Sequence, residues 1–279
     1  MAKKKKYKVK WKNVFKFFRT IILFTLLILT TISVITYFRD YKNTEKTLNR
    51  IKENVKIVNV VDDEFTEIIE PNSNISKFAL YWNYIKLGLI EPDFIELSKV
   101  NPELIGWISI KGTNIDYPVA KHSDNDFYKS HTFDTSQSRF GAVYLDTFND
   151  LSEIQKNTVI YSNKNNIGLL FDNLKVLNSA SWQEDDDNYV IRFATKNYTT
   201  LWQIVSVYKT KDKVQTAFSS DEKYAEYLQS ILDKSIFDFK TTLISTDNII
   251  TLTTNSEHKN TVVVAKLIKK RITNENTQE

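Results

Sequence analysis

Ser256 and His258 stand two residues apart with Glu257 between them, and a hydroxyl beside an imidazole is the smallest set that makes an activated nucleophile. Glu257 is the one neighbouring carboxylate available to orient that imidazole. Residues two apart on an extended segment share a face only approximately, so the competing reading is a solvated loop between two strands. The other two histidines, His122 in a polar turn and His131 in an SHTFD stretch, join no third ligand at a metal-site spacing. The acidic run Glu184-Asp185-Asp186-Asp187 has the charge for calcium but lacks the fixed ligand spacing of a calcium loop, and reads as a solvated hairpin. Five glycines in 279 residues supply no phosphate-cradling loop, so no cofactor is expected. There is no cysteine, which removes thiol chemistry and any disulfide framework together.

The elements that must position such residues begin with a membrane segment. Nine basic residues (Lys3, Lys4, Lys5, Lys6, Lys8, Lys10, Lys12, Lys16 and Arg19) precede residue 20 with no acid among them, which leaves the remainder net acidic by five. Residues 21–38 then run without charge, Pro or Gly, and with Thr20 reach the roughly 20 residues that a bilayer core demands. The run ends in Tyr37-Phe38-Arg39-Asp40 with no small-residue cleavage site, so it reads as a retained anchor and not as a signal peptide. A basic flank before the span predicts a cytoplasmic amino terminus and an extracellular remainder, and reads as a membrane feature with no nucleic-acid partner. Trp11 falls where an interfacial anchor belongs.

Beyond the span, residues 44–60 have helical spacing, and acids and turn formers at 62–64 and 70–74 predict a stalk. Residues 75–100 predict two short helices separated at Glu91-Pro92, because the residue before Pro avoids helical geometry. Eight short β-type runs follow, at 107–110, 115–119, 142–145, 158–161, 189–194, 201–208, 249–254 and 261–267, a count that suits a closed barrel. One helix interrupts them, capped at Ser219-Ser220-Asp221-Glu222 and continuing toward Phe237. Trp82, Trp107, Trp182 and Trp202 lie within or beside apolar runs and are expected in the core. The expected organisation is a basic head (1–19), an anchor (20–38), a juxtamembrane helix and stalk (39–75), a barrel domain (76–270) and a polar tail (271–279).

The blocks NPELIGWISIKGTNIDYPV at 101–119, DNDFY at 124–128, GAVYLD at 141–146, NTVIY at 157–161, LLFDNL at 169–174, FSSDEKYAEYL at 218–228 and TLTTN at 251–255 resemble, in order, those of class B sortases, a cysteine transpeptidase family. The likeness spans about residues 80–268. It implies a mainly β fold: an eight-stranded sortase-type barrel with N-terminal helices and a helix between strands six and seven, held outside a Gram-positive type of membrane. Active members cut a carboxy-terminal sorting signal after Thr and join it to a peptidoglycan amine. In that family His131 would be a barrel-rim residue.

Carried over position by position, the resemblance implies a catalytic set that is lost. The family's His lies in a Tyr-Gly-His-Asn block after the fourth strand, where this chain has Tyr161-Ser162-Asn163-Lys164. Its Cys closes a Thr-Leu-x-Thr-Cys block, where Thr251-Leu252-Thr253-Thr254 is followed by Asn255. Its Arg, counted back from the eighth strand, falls at Asn260. A carboxamide nitrogen with a delocalised lone pair cannot replace a thiolate, and Asn163 cannot exchange a proton near neutral pH. Asn260 can donate a hydrogen bond to an oxyanion but without positive charge. Loss of a nucleophile alone costs on the order of a million-fold in comparable hydrolases. The implied protein is a pseudoenzyme with a peptide groove walled by Tyr144, Leu145, Asp146, Ser162, Thr253 and Thr254, its partners sorting-signal peptides or an active sortase. The alternative is a transpeptidase or hydrolase that uses Ser256 with His258.

Overall fold

The computed structural model describes residues 10–71, 76, 79–165, 167–256 and 259–273. It divides into two compact units, Met1–Asn43 and Thr44–Glu279, and one long helix, α1 (Trp11–Asn54), begins in the first and ends in the second. In the first unit its most apolar window has a mean hydropathy of 2.4 and no buried residue. A helix suits lipid because every backbone polar group is paired within the segment. The threonines comply: Thr25 and Thr30 donate their hydroxyls to the carbonyls of Ile22 and Leu27, and Thr31 also to Leu27, each at 2.8 Å. Among the described residues this is the one helix long and apolar enough to cross a membrane, and the protein is a single-pass membrane protein.

In the second unit the end of α1 buries Thr44, Leu48 and Ile51, a spacing of three and four residues that presents one face to the body. The helix stops at Asn54, short of the expected residue 60. Ile57–Val60 instead forms a strand antiparallel to Leu89–Pro92, with Ile57 opposite Pro92 and Val60 opposite Leu89. The β-branched run is decided by a partner thirty residues away in sequence, which helical spacing does not reveal. Pro92 closes that strand, and Asp93 then caps α3 (Phe94–Val100) by accepting from the amides of Ile95 and Glu96 at 3.1 and 3.2 Å. Between residues 75 and 92 the one described helix is the single turn α2 (Tyr81–Tyr84). Part of the expected stalk is likewise bound to the body. Thr66–Ile68 adds a short strand beside Lys269–Arg271, and the fully buried Lys269 ammonium donates to both Asp62 carboxylate oxygens at 2.8 and 2.9 Å.

The eight expected runs become the eight strands of a closed barrel: β1 (Leu104–Ile110), β2 (Asp116–Ala120), β3 (Tyr144–Leu145), β4 (Asn157–Asn163), β5 (Val190–Thr195), β6 (Tyr198–Thr210), β7 (Ile249–Asn255) and β8 (Asn260–Ile272). Around the ring the order is β7, β4, β3, β2, β1, β5, β6, β8, and β8 pairs with β7 to close it. Neighbours are antiparallel except β2 with β3 and β4 with β7, which run parallel. The short helix α4 (Ala180–Gln183) precedes β5, and α5 (Asp221–Lys234) lies between β6 and β7. The Ser220 hydroxyl caps α5 at the Lys223 amide, and Tyr224, Leu228 and Ile231 form its buried stripe.

Trp182 and Trp202 are buried in the main core and Trp82 is half-buried against it, Trp107 is buried in a second cluster outside the barrel with Ile51, Phe94 and Leu97, and Trp11 is exposed on the membrane helix. In the acidic run, Asp185 accepts from the Asp187 amide and Lys111 reaches the Asp187 carboxylate at 3.2 Å. No group of three metal-ligating side chains occurs among the described residues.

Candidate functional site

The parallel strands β4 and β7 end together, with Asn163 and Asn255 as register partners on the last rung. The Lys164 amide then donates to the Asn255 carbonyl at 3.2 Å and closes the ladder. On the other side of β7, Thr253 faces Val262 of β8, and the same register carried two residues further sets Asn255 opposite Asn260. The Thr254 hydroxyl fixes this turn: it accepts from the Thr261 amide at 2.9 Å and lies 3.5 Å from Asn260 Oδ1. Asn260 in turn faces Thr210 of β6. Three carboxamides, each half-buried, therefore stand in one row across the end of the barrel.

Each carboxamide is aimed by a local contact. Asn163 Nδ2 donates to the Lys129 carbonyl at 2.5 Å. Gly141 admits that approach: it has φ of +70°, and a Cβ there would sit 2.4 Å from the Tyr128 carbonyl and 2.9 Å from Asn163 Nδ2. Asn255 Nδ2 donates to the Tyr144 phenol at 3.2 Å. The Tyr144 ring stacks on Tyr161 at 5.6 Å and on Tyr128 at 6.4 Å, so three tyrosines from separate segments back the row. Burial pushes the Tyr144 phenol up to about 12, with the Asn255 hydrogen bond pulling the other way. Burial, with the Asp146 carboxylate nearby, raises Tyr161 as well.

The residues expected as groove walls lie behind this row. Tyr144, Leu145, Asp146, Ser162, Thr253 and Thr254 are all buried. Asp146 accepts from the Phe148 amide at 2.9 Å and from Asn125 Nδ2 at 3.2 Å, which ties the loop after β3 to the barrel. The Ser162 hydroxyl is buried with no hydrogen-bond partner among the described residues. Ser256 follows Asn255 and is half-buried, while Glu257 and His258 lie outside the described residues. His131 stacks on Phe127 at 4.1 Å and His122 stacks on it at 4.3 Å. His122 Nδ1 also lies 2.7 Å from Glu103 Oε1, whose other oxygen accepts from the Tyr128 phenol at 2.6 Å. Both imidazoles are thus built into the loop that carries Tyr128. The half-buried ring of Tyr161 and the stack behind it went unnoticed in the sequence, where only the alternation of Tyr161 with the neighbouring strand residues hints at a shared face.

Chemically the row can donate and accept hydrogen bonds but holds no thiol, imidazole or guanidinium at Asn163, Asn255 or Asn260. No protein-family model matches the chain. It is 31% identical to sortase B of Staphylococcus aureus over 188 residues, covering 64% of this chain and 76% of that protein. It is 27% identical to sortase B of Listeria monocytogenes over 191 residues, covering 66% and 77%. Among solved structures, sortase B of B. anthracis in complex with AAEK1 superposes with a TM-score of 0.66 at 26% identity, covering 83% of this chain and 99% of that one. The S. aureus sortase B–substrate complex gives 0.59 at 32%, covering 63% and 84%.

The closed eight-stranded barrel with a helix between its sixth and seventh strands is the sortase fold. Within that class, the chain belongs to the sortase B family. With no cysteine it lacks the nucleophile of a cysteine transpeptidase and is a catalytically degenerate member.

Proposed function

We propose that this protein binds extended peptides of the sorting-signal type at the outer face of the membrane and does not cleave them. Asn163, Asn255 and Asn260 take the positions of the family's His, Cys and Arg. The observation that supports the reading is the shared register of these residues on β4, β7 and β8. A carboxamide offers one acceptor and two donors, which matches a peptide backbone without any reacting group. A relative, S. aureus sortase B, has been solved as a substrate complex. A bound sorting peptide could be held there for an active sortase, so the protein serves as a scaffold in surface-protein assembly.

The basic head sets the orientation, with the amino terminus in the cytoplasm and the barrel outside. Protease added to intact protoplasts then removes the barrel and leaves a protected fragment of about the first forty residues; a processed barrel released into the medium contradicts the anchor. For the site, a labelled sorting-type peptide titrated into the purified full chain binds reversibly and is recovered intact. Absence of binding removes the proposal. Turnover that disappears on Ser256→Ala replaces it with an enzyme that uses a hydroxyl nucleophile.

A further inference from the structure

A second cavity lies away from the carboxamide row, and from the polar pair on its floor we infer a binding site for a free α-amino acid with an aromatic or aliphatic side chain. The site is independent of the peptide-binding reading above. Gln203 of β6 stands directly opposite Lys266 of β8, and Val190 of β5 faces Gln203 from the other side. Lys266 is in turn opposite Ile249, the first residue of β7, whereas the row lies at the last. Lys266 follows Asn260 by six residues of β8, about 20 Å of extended chain. Directly opposite residues of an antiparallel pair project to one face with Cβ atoms about 5 Å apart, so the Gln203 carboxamide and the Lys266 ammonium are neighbours. Both line a cavity of about 700 Å³, a size that suits a small ligand.

Each floor group lacks the partner its chemistry calls for. Gln203 is 4% exposed, and its Oε1 accepts no hydrogen bond among the described residues. A buried carbonyl oxygen left unpaired costs stability, and a donor arriving from outside the fold accounts for its position. The Lys266 ammonium donates to the Thr242 carbonyl at 3.1 Å and forms no ion pair with a carboxylate among the described residues. Burial lowers its pKa, with Asp247 pulling the other way from beyond ion-pair distance. A bound carboxylate supplies the countercharge.

A floor that accepts on one side and presents a cation on the other matches a ligand with an ammonium and a carboxylate on one carbon. Asp186 adds to the polarity: it lines the cavity just before β5, on the Gln203 side of the rung, and is exposed. Asp238 and Lys240, the remaining charged residues of the lining, pair with each other. The walls select the body of the ligand. Tyr189, Phe237 and Phe239 meet edge to face with centroids 4.9, 5.0 and 6.0 Å apart, a preformed apolar surface for an aromatic or aliphatic side chain.

The test uses tritiated L-phenylalanine with the full chain in nanodiscs, displaced by unlabelled competitors. L-Phenylalanine should bind saturably. 3-Phenylpropionate, which lacks the ammonium, and phenethylamine, which lacks the carboxylate, should each compete at least tenfold less well, because each leaves one floor group unpaired. Gln203→Leu and Lys266→Met should each lower the affinity at least tenfold. Each also removes an under-paired polar group, so the urea midpoint of the unliganded protein should hold or rise, which reports that the fold is intact. Absence of saturable binding, competition by either analogue equal to that of phenylalanine, or undiminished binding in both variants overturns the inference. A fall in both midpoints means that the fold itself pairs these groups and overturns it as well. None of these results bears on peptide binding at the carboxamide row.

Discussion

The two ends of the β4–β7 pair carry similar side chains in opposite conditions. At the start, Asn157 is fully buried and fully used: its Oδ1 accepts from the Thr251 hydroxyl at 2.8 Å and its Nδ2 donates to the Gln215 carbonyl at 2.7 Å. Its own carbonyl accepts from Asn149 Nδ2 at 2.7 Å, and Asn149 Oδ1 accepts from the Val159 amide at 2.7 Å. At the far end, Asn163 keeps a 2.5 Å hydrogen bond to the Lys129 carbonyl, but Asn255 makes one long side-chain hydrogen bond, Asn260 lies at the limit of one, and Ser162 makes none among the described residues. Buried polar groups in a stable fold are paired, so the first end contributes more to holding the barrel together than the second.

Denaturation experiments can break this contrast. Asn157→Ala should cost about 3 kcal/mol, because it strands several buried partners at once; a loss below about 1 kcal/mol would erase the distinction. Thr251→Val keeps the shape and removes one hydroxyl from Asn157 Oδ1, for an expected loss of about 1.5 kcal/mol in urea titrations. At the other end the sign should reverse. Ser162→Ala deletes a buried hydroxyl that has no described partner, so the unfolding free energy should rise by up to about 1 kcal/mol. A clear loss there would reveal a partner for Ser162 and shrink the comparison. Asn255→Ala should change stability by no more than about 0.5 kcal/mol.

The same substitution has a second readout at Tyr144. Burial raises this phenol to about 12, so its contribution to stability is present below the unfolded value of 10.0 and is lost as pH climbs toward the folded value. Because the Asn255 hydrogen bond lowers the phenol, Asn255→Ala should move the Tyr144 titration further upward, followed by NMR of a ring-labelled tyrosine. An unchanged or lowered titration would show that the contact carries no weight.

All eight barrel strands were legible because each contains a β-branched or aromatic run near turn formers, though the sixth and eighth extend well past the expected runs at 201–208 and 261–267, and α5 because its cap and stripe are local. The strands at Ile57–Val60, Thr66–Ile68 and Leu89–Pro92 were not, since each is selected by a partner distant in sequence. Lys269 illustrates the limit: its ammonium is fully buried because Asp62 and the Leu87 carbonyl meet it, and neither is near in sequence. At the site, motif blocks pointed to Asn163 and Asn255, and counting back from the eighth strand pointed to Asn260. Their common row and the stack of Tyr128, Tyr144 and Tyr161 come from register and closure of the ring. Burial of the expected groove walls has the same origin, because inward and outward faces of a strand depend on the pairing it adopts.

The central claim is that a sortase site has lost its reacting groups and kept its frame. The variant Asn163→His with Asn255→Cys and Asn260→Arg tests it most directly: incubated with a sorting-type peptide and examined by intact-protein mass spectrometry, it should gain the mass of an acyl thioester at residue 255. A folded triple variant whose thiol reacts with a small alkylating agent but never acquires that mass would show that the frame is gone too.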